Sequence, residues 1–259
     1  MFHQNQGNRL IHRDAQIYYE MHGDAHKPAL LLLHGGGGSM EDFSPLASWL
    51  TQYFYIVAID SRGHGRSTLG EVPLSYAQLT EDAQCVLKQL GISSYSVFGF
   101  SDGGTVAYRL AVDNPQVESL ITLGAGWCVD DSPETVALFH QIDSNFWQAN
   151  NPKMCERYQV LNPEADLDRL LKMLVSMWLD SSEKGYPNTK VAKIAVPVLV
   201  MRGEADFLYS LSDALDLCHL LPQAHFANLP FAQHEAIVEQ PQLVQAAIMA
   251  MLSTLRSNT

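Results

Sequence analysis

The sequence predicts an α/β protein in which a mostly parallel sheet of eight strands carries helices on both faces. Apolar runs of strand length alternate with helical segments of about 10 to 15 residues along most of the chain, which is the pattern of βαβ units. The runs Ala29–Leu33 and Tyr55–Ile59 are apolar throughout, which is typical of strands buried on both faces. The length of 259 residues and the hydrophobic content of 47% suffice for one large core.

The elements before residue 124 follow this alternation. Two short runs within residues 10–21, separated by Asp14 and Ala15, predict a β-hairpin. Ser75 is a capping residue and Gly91 a helix terminator, so the segment between them is predicted as a helix. With the strands 29–33 and 55–59, the predicted elements are helices over 42–52, 75–90 and 102–114 and strands over 95–98 and 119–123.

The alternation stops after residue 126 and resumes near residue 193. Residues 127–192 contain no good strand, but three segments read as helices with a proline at or near the first turn: 133–150, 152–160 and 163–179. This segment is rich in bulky apolar residues and is predicted to form a helical cap on a core domain made of residues 1–126 and 193–259. The core then ends with strands over 196–201 and 224–229 and helices over 208–221 and 240–255.

Charge and composition exclude several classes of partner. The chain has 16 Lys and Arg against 28 Asp and Glu, a net charge of −12, and no basic cluster. Nucleic acids and anionic membrane surfaces are therefore not expected as partners. No apolar run reaches the roughly 18 residues of a membrane span, and residues 1–6 lack the features of a signal peptide. We expect a cytoplasmic protein that acts on a small molecule, and its oligomeric state is left open.

The four cysteines point neither to a metal nor to a disulfide framework. They lie far apart along the chain, without a Cys-x-x-Cys pair: Cys85, Cys128, Cys155 and Cys218. We expect free thiols, and we expect no metal and no cofactor.

The motif with the most chemical information is the sequence Gly99-Phe100-Ser101-Asp102-Gly103. An apolar strand precedes it and a helical segment follows it, so Ser101 falls where a strand turns sharply into a helix. Glycines two residues before and after Ser101 remove the side chains that would clash in this turn, which exposes the serine hydroxyl. This is the pattern of a nucleophile elbow. The alternative is a tight turn with an idle serine.

A serine nucleophile needs an imidazole base and a carboxylate that orients it. Functional groups of parallel sheets collect beyond the carboxyl ends of the strands. His234 follows the last strand in a loop, whereas His225 lies inside that strand and His219 inside a helix. Asp206 follows strand 196–201 and is the preferred acid. The remaining candidates for the acid are Asp130, Asp131 and Glu204.

Two segments offer backbone N–H groups to a developing oxyanion. One is the glycine run 35–38 after the first buried strand, and the other is the N–H of Asp102 at the start of the elbow helix, where the helix dipole adds to the effect. A glycine-rich loop could instead hold a phosphate. The chain has neither the Gly-x-Gly-x-x-Gly spacing nor a Gly-Lys-Ser/Thr sequence, which argues against a phosphate site.

Together these motifs resemble the α/β-hydrolase family over nearly the whole chain. The resemblance rests on His34-Gly35-Gly36, the Asp-x-Arg-Gly-x-Gly-x-Ser loop at residues 60–67, the elbow at Ser101, and the order Ser101, Asp206, His234. It implies that the oxyanion donors are the N–H groups of Gly36 and Asp102 and that residues 127–192 are the family's helical cap. The Ser-Asp-Gly-Gly elbow resembles that of valacyclovir-hydrolase-like members. The chain departs from the family at Ala232-Gln233, where glycine is more usual before the histidine.

The expected activity is that of a cofactor-independent serine hydrolase that cleaves a small ester, thioester, lactone or activated amide. The same fold also serves carbon–carbon bond hydrolases, haloperoxidase-like enzymes and ligand-binding proteins without turnover. Asp60, Arg62 and His64 are expected to stabilise their own loop. For the Asp102 side chain two roles stay open: it complements the helix dipole, or it binds the ammonium group of an α-amino acyl substrate.

Overall fold

The computed structural model describes residue 2 and residues 7–257, and it contains an eight-stranded sheet with helices on both faces. Of residues 1–6, for which the sequence predicts no signal peptide, only Phe2 is among those described. The strands are β1 (Asn8–His12), β2 (Ala15–His22), β3 (Ala29–Leu33), β4 (Tyr55–Ile59), β5 (Tyr95–Phe100), β6 (Val117–Leu123), β7 (Val198–Gly203) and β8 (Ala224–Leu229). The α-helices are α1 (Ser44–Leu50), α2 (Tyr76–Gln89), α3 (Asp102–Ala111), α4 (Pro133–Phe139), α5 (Ser144–Asn150), α6 (Pro152–Leu161), α7 (Leu167–Trp178), α8 (Leu211–Leu220), α9 (Ala236–Glu239) and α10 (Pro241–Ser257).

The strand order in the sheet is β1-β2-β4-β3-β5-β6-β7-β8. β1 pairs with β2 and β2 with β4 in antiparallel fashion, and every other neighbouring pair is parallel. The prediction of an eight-stranded, mostly parallel sheet is therefore confirmed. Because β5, β7 and β8 run in the same direction, the loops that follow them open at one edge of the sheet.

The central strands of the sheet are buried on both faces, as their apolar runs predict. Along β3, Leu31 and Leu33 belong to the core on one face, and Leu30 and Leu32 to the core on the other. Successive side chains of a strand point to opposite faces, so an unbroken apolar run fills both layers. Full burial of each such leucine stabilises the fold by about 1.5 to 3 kcal/mol. The strands are thus a rigid base for the loops at their ends.

Two predicted helix boundaries are wrong because an aspartate inside each predicted helix caps the start of a later one. The single helix predicted over 133–150 is two helices, α4 and α5, because the Asp143 carboxylate accepts a hydrogen bond from the Phe146 N–H at 2.8 Å and starts a new helix. The helix predicted from residue 163 begins only at Leu167, since Asp166 is its N-cap. Asp and Asn side chains compete with the backbone in this way at helix starts.

One of the smaller differences has the same kind of cause. The helix predicted over 208–221 begins at Leu211, because the Ser210 hydroxyl caps it through the Asp213 N–H at 3.0 Å. The segment predicted as helix 42–52 is a 3₁₀ turn, Met40–Phe43, followed by α1. The short helix α9 has no counterpart in the prediction.

Helices α4 to α7 connect β6 to β7, and we call residues 127–192 the cap segment. Its helix α7 packs into the core through buried residues that include Leu170, Leu174 and Met177. Polar contacts fasten the same segment to loops of the sheet. The Asn162 amide donates to the carbonyl oxygen of Ser67 at 2.9 Å, and the Arg157 guanidinium pairs with the Asp42 carboxylate at 2.6 Å. The cap segment is therefore held at several points.

In the described part of the chain, no helix combines the length and the apolar character that crossing a membrane requires. All four cysteines are free, as the sequence predicts.

Candidate active site

Ser101 lies in the turn between β5 and α3 with φ 52° and ψ −121°. A positive φ costs a non-glycine residue on the order of 1 to 3 kcal/mol, and such a residue persists only where its surroundings hold it. Here the Ser101 N–H donates to the Leu123 carbonyl oxygen at 2.9 Å, and its carbonyl oxygen accepts from the Gly104 N–H at 2.8 Å. A side chain at Gly103 would overlap the backbone carbonyl group of Leu33. The elbow therefore requires glycine at this position, as the sequence predicts.

The hydroxyl of Ser101 is linked by hydrogen bonds to an imidazole and a carboxylate. Ser101 Oγ lies 3.0 Å from His234 Nε2, and His234 Nδ1 lies 3.0 Å from each carboxylate oxygen of Asp206. The Asp206 side chain is fully buried, whereas that of His234 is 12% exposed. A carboxylate on Nδ1 fixes the tautomer in which Nε2 is free to accept the serine proton. Three residues from three different loops thus form one chain of hydrogen bonds.

The loop that holds Asp206 is organised by the buried Arg202 at the end of β7. Its guanidinium donates to the backbone carbonyl oxygens of Asp206 at 3.1 Å and Tyr209 at 3.0 Å, and to the Asn228 side chain at 2.8 Å. The Asp206 carboxylate also accepts the Leu208 and Tyr209 N–H groups at 2.9 and 3.0 Å. These contacts fix the carboxylate on one side while the other side faces the imidazole.

The alternative acids lie elsewhere. Asp130 and Asp131 are exposed near the start of α4, where Asp130 accepts a hydrogen bond from the Ser132 N–H at 3.0 Å. Glu204 accepts the Phe231 N–H at 3.1 Å and so connects the two loops that carry Asp206 and His234. Of the four carboxylates that the sequence offers, the structure brings Asp206 to the imidazole.

The predicted oxyanion loop is fixed by His34. The imidazole Nε2 of His34 accepts the Ser61 N–H at 2.9 Å, so its proton is on Nδ1, which donates to the Gly35 carbonyl oxygen at 2.7 Å. The Gly38 N–H donates to the same oxygen at 3.1 Å. The carbonyl group of Gly35 and the N–H of Gly36 belong to one planar peptide and point in opposite directions. Holding the carbonyl therefore also fixes the direction of the Gly36 N–H.

Gly36 and Asp102 lie against each other beside the nucleophile. A Cβ atom at Gly36 would come within 2.5 Å of Asp102 Oδ2 and 2.9 Å of the Trp178 ring, so the loop requires glycine here. Asp102 is the first residue of α3, and its N–H therefore has no partner within the helix. Both predicted oxyanion donors thus belong to backbone segments that flank Ser101.

The Asp102 carboxylate is buried and accepts hydrogen bonds from two aromatic side chains. The Tyr76 hydroxyl donates to Oδ1 at 2.7 Å, and the Trp178 indole N–H lies 3.0 Å from Oδ1 and 2.9 Å from Oδ2. Burial raises the pKa of Asp102, although the two donors act in the opposite direction. Trp178 is the last residue of α7, so this carboxylate joins the elbow to the cap segment.

The loop over residues 60–67 is anchored by buried side chains. The Asp60 carboxylate accepts the N–H groups of Met40 and Arg66 at 2.9 and 2.8 Å. The fully buried Arg62 guanidinium binds both oxygens of Asp82 at 2.9 Å each. These contacts are those expected of residues that stabilise their own loop.

The same guanidinium reaches the β1–β2 turn, where it donates to the Asp14 carboxylate at 2.7 Å. Burial acts to raise the pKa of Asp14, but hydrogen bonds from the Glu71 and Val72 backbone and from Arg62 outweigh it and lower that pKa to about 2. Asp14 therefore contributes stability above its unfolded pKa of about 3.9, and this contribution is lost as the pH falls through 2.

Sequence reasoning missed Arg202, Trp178 and Tyr76. An arginine that directly follows an apolar strand is a usable signal, because a buried arginine needs partners. Trp178 and Tyr76 gave no such signal, since each lies within an apolar stripe of a helix and looks like ordinary core.

An eight-stranded α/β sheet with a serine at the strand–helix elbow, an imidazole and a carboxylate after later strands defines an α/β hydrolase. The chain belongs to the family described as serine aminopeptidase, S33, whose model matches residues 24–241. It is a hydrolase of this fold, in a family that acts on small-molecule substrates.

Individual relatives agree with this assignment. The chain is 24% identical to 3-oxoadipate enol-lactonase 2 of Acinetobacter baylyi over 268 residues, which cover 94% of this chain and 95% of the lactonase. The crystal structure of a hydrolase from Pseudomonas aeruginosa PA01 superposes with a TM-score of 0.81 at 24% identity, covering 96% of this chain and 99% of that one. A thermophilic esterase from Thermogutta terrifontis superposes with a TM-score of 0.76 at 20% identity, covering 96% and 98%.

Proposed function

We propose that this protein is a serine hydrolase that cleaves a small carboxylic ester, thioester, lactone or activated amide through an acyl-enzyme. The observation that carries the proposal is the continuous hydrogen-bonded chain from Ser101 through His234 to Asp206, with 3.0 Å at each step. A serine hydroxyl is a weak nucleophile at neutral pH unless a base accepts its proton. The Nε2 atom of His234 is within reach for that transfer.

The reaction begins when Ser101 Oγ attacks the substrate carbonyl carbon and its proton passes to His234 Nε2. The buried Asp206 carboxylate stabilises the imidazolium that forms. Negative charge develops on the carbonyl oxygen, and the N–H groups of Gly36 and Asp102 are the donors assigned to it. Fixed donors of this kind are worth about 2.7 to 4 kcal/mol each in the transition state, which is why the anchoring of the Gly35–Gly36 peptide by His34 matters.

His234 then gives its proton to the departing group, and the acyl chain remains on Ser101. Water attacks the acyl-enzyme with His234 as the base, the acid is released and Ser101 regains its proton. No metal or cofactor has a part in this sequence. The similarity to an enol-lactonase supports inclusion of lactones among the substrates.

We propose in addition that the Asp102 carboxylate binds the ammonium group of an α-amino acyl substrate. Two protons, from Tyr76 and Trp178, already reach this carboxylate. A carboxylate has about four acceptor positions, so it has capacity for a further donor. An ammonium about 5 Å away would be attracted by roughly 3 kcal/mol at an effective dielectric near 20, before desolvation is subtracted.

Asp102→Asn is expected to lower kcat/KM for aminoacyl esters by about 5- to 30-fold. For neutral esters of equal size, kcat/KM should change little. Because both protein donors reach Oδ1, the asparagine carbonyl oxygen can keep them; the charge is lost, together with the contact between the indole N–H and Oδ2. The measurement is a kinetic panel of p-nitrophenyl and aminoacyl esters of varied acyl length, run with wild type and variant.

The panel also tests the broader proposal. If the folded wild-type protein hydrolyses none of these esters, the proposal that it is a serine hydrolase is contradicted. A parallel loss for both ester classes, or no preference of the wild type for the amino group, would make Asp102 structural and remove the aminoacyl part alone.

A further inference from the structure

The loops that carry Asp206 and His234 expose unusually large apolar side chains. Phe207 is 72% exposed and Phe231 is 86% exposed, and each lies within three residues of an active-site side chain. Leu208 and Leu211, next to Phe207 along the chain, are also exposed. Single exposed apolar residues are ordinary, but several along one loop beside a functional site, as with Phe207, Leu208 and Leu211, are typical of a binding surface.

Of the two phenylalanines, Phe207 is the one whose ring faces the imidazole. Its ring centroid lies 6.4 Å from that of His234, at an interplanar angle of 56°. The buried Phe100 ring lies 5.1 Å from the same imidazole. His234 therefore has one aromatic neighbour in the core and a second in solvent. Packing in the core is a sufficient reason for the buried Phe100 ring. The exposed Phe207 ring contributes little to the core.

Phe207 is held where it is by the loop around it. The Ala205 N–H donates to the Ala232 carbonyl oxygen at 2.9 Å, and the Leu208 N–H donates to the Asp206 carboxylate at 2.9 Å. The backbone on both sides of Phe207 is thus bonded to the acid and to the loop that carries His234. The backbone from which the ring extends is therefore already ordered, and no loop entropy is lost there when a ligand contacts the ring.

The position of the catalytic base determines which part of a substrate lies near the Phe207 ring. The leaving oxygen must come within about 3 Å of His234 Nε2 to take up its proton. The rest of the leaving group then extends beside the imidazole. Around the oxyanion loop the space is filled by side chains of the cap segment, since Trp147 and Met154 lie against Gly37 and Trp178 lies against Gly36. An apolar leaving group has exposed aromatic surface available on the Phe207 side.

We infer that Phe207 is a specificity-determining residue that binds an apolar leaving group, such as the aryl or long alkyl alcohol of an ester. This inference rests on the proposed function and adds to it the class of alcohol that the enzyme prefers. The ring contacts the part of the substrate that departs, so it acts on acylation and has no role in the hydrolysis of the acyl-enzyme.

The test compares methyl and benzyl esters of one acid, the acyl group hydrolysed fastest in the p-nitrophenyl panel. Phe207→Ala is expected to lower kcat/KM for the benzyl ester by about 5- to 15-fold, as expected for loss of an aromatic contact. For the methyl ester kcat/KM should stay within about twofold. Deacylation should be unchanged, because both esters form the same acyl-enzyme. A general loss of structure would lower kcat/KM for both esters by the same factor.

Phe231→Ala is the matched control, since it removes an equally large and even more exposed ring from the neighbouring loop. It should leave the benzyl-to-methyl ratio of wild type intact. An unchanged benzyl-to-methyl ratio in Phe207→Ala, or an equal fall of this ratio in Phe231→Ala, would overturn the inference. The proposal of a serine hydrolase would not be affected by either result. A wild type that hydrolyses no ester of the panel would overturn both.

Discussion

Ser101→Ala is expected to lower kcat by on the order of 10⁵- to 10⁶-fold for every substrate that the wild type hydrolyses. The substitution removes the nucleophile and one hydrogen bond of the chain that ends at Asp206. His234→Ala should cost about as much, and the double variant should be no slower than either single variant, because the two groups act as one unit. Steady-state kinetics on the preferred ester, with the purified variants, measures this.

Ser176→Ala is a suitable control for the loss of a hydroxyl. Ser176 is exposed on α7, where its hydroxyl donates to the Lys172 carbonyl oxygen, and its removal should leave kcat unchanged. If Ser101→Ala retained more than a tenth of the wild-type kcat, the nucleophile would have to be another group.

Asp206→Asn is expected to fold normally and to lose on the order of 10³ to 10⁴ in kcat. The fold should survive because the asparagine carbonyl oxygen can still accept the N–H groups of Leu208 and Tyr209, which both reach Oδ1. Catalysis should fail because the amide can no longer stabilise the imidazolium, and its NH₂ group favours the wrong tautomer of His234.

Asp130→Asn and Asp131→Asn are the controls for this experiment, since both carboxylates are exposed near α4. Each should change kcat by less than about twofold, in keeping with surface substitutions in general. A crippling effect of either one, with Asp206→Asn nearly as active as wild type, would assign the acid to the segment after β6.

The sheet could be predicted from the sequence because its strands are local patterns. The apolar runs of β3 and β4 are followed directly by the polar residues His34 and Asp60, and the predicted and observed limits of both strands agree. A strand buried on both faces needs no knowledge of its neighbours to be recognised. Helix starts were less predictable where several capping residues compete, as Asp143 and Asp166 show.

The groups around Asp102 could not be predicted, because they come together only in the folded chain. Tyr76 is 26 residues from Asp102 and Trp178 is 76 residues away, and neither spacing leaves a mark in a local pattern. The sequence placed a carboxylate after the nucleophile but contained nothing to indicate that aromatic donors surround it. The same holds for His34, whose tautomer depends on the Ser61 N–H from another loop.

The central claim is that the His234-activated Ser101 is the nucleophile, and covalent labelling by a fluorophosphonate tests it most directly. Such a reagent reacts quickly only with a serine that is activated by a base beside an oxyanion site. Intact mass should show one adduct per wild-type chain, peptide mapping should assign it to Ser101, and Ser101→Ala and His234→Ala should stay unlabelled. A folded wild type that remains unlabelled, or an adduct on another residue, would contradict the claim.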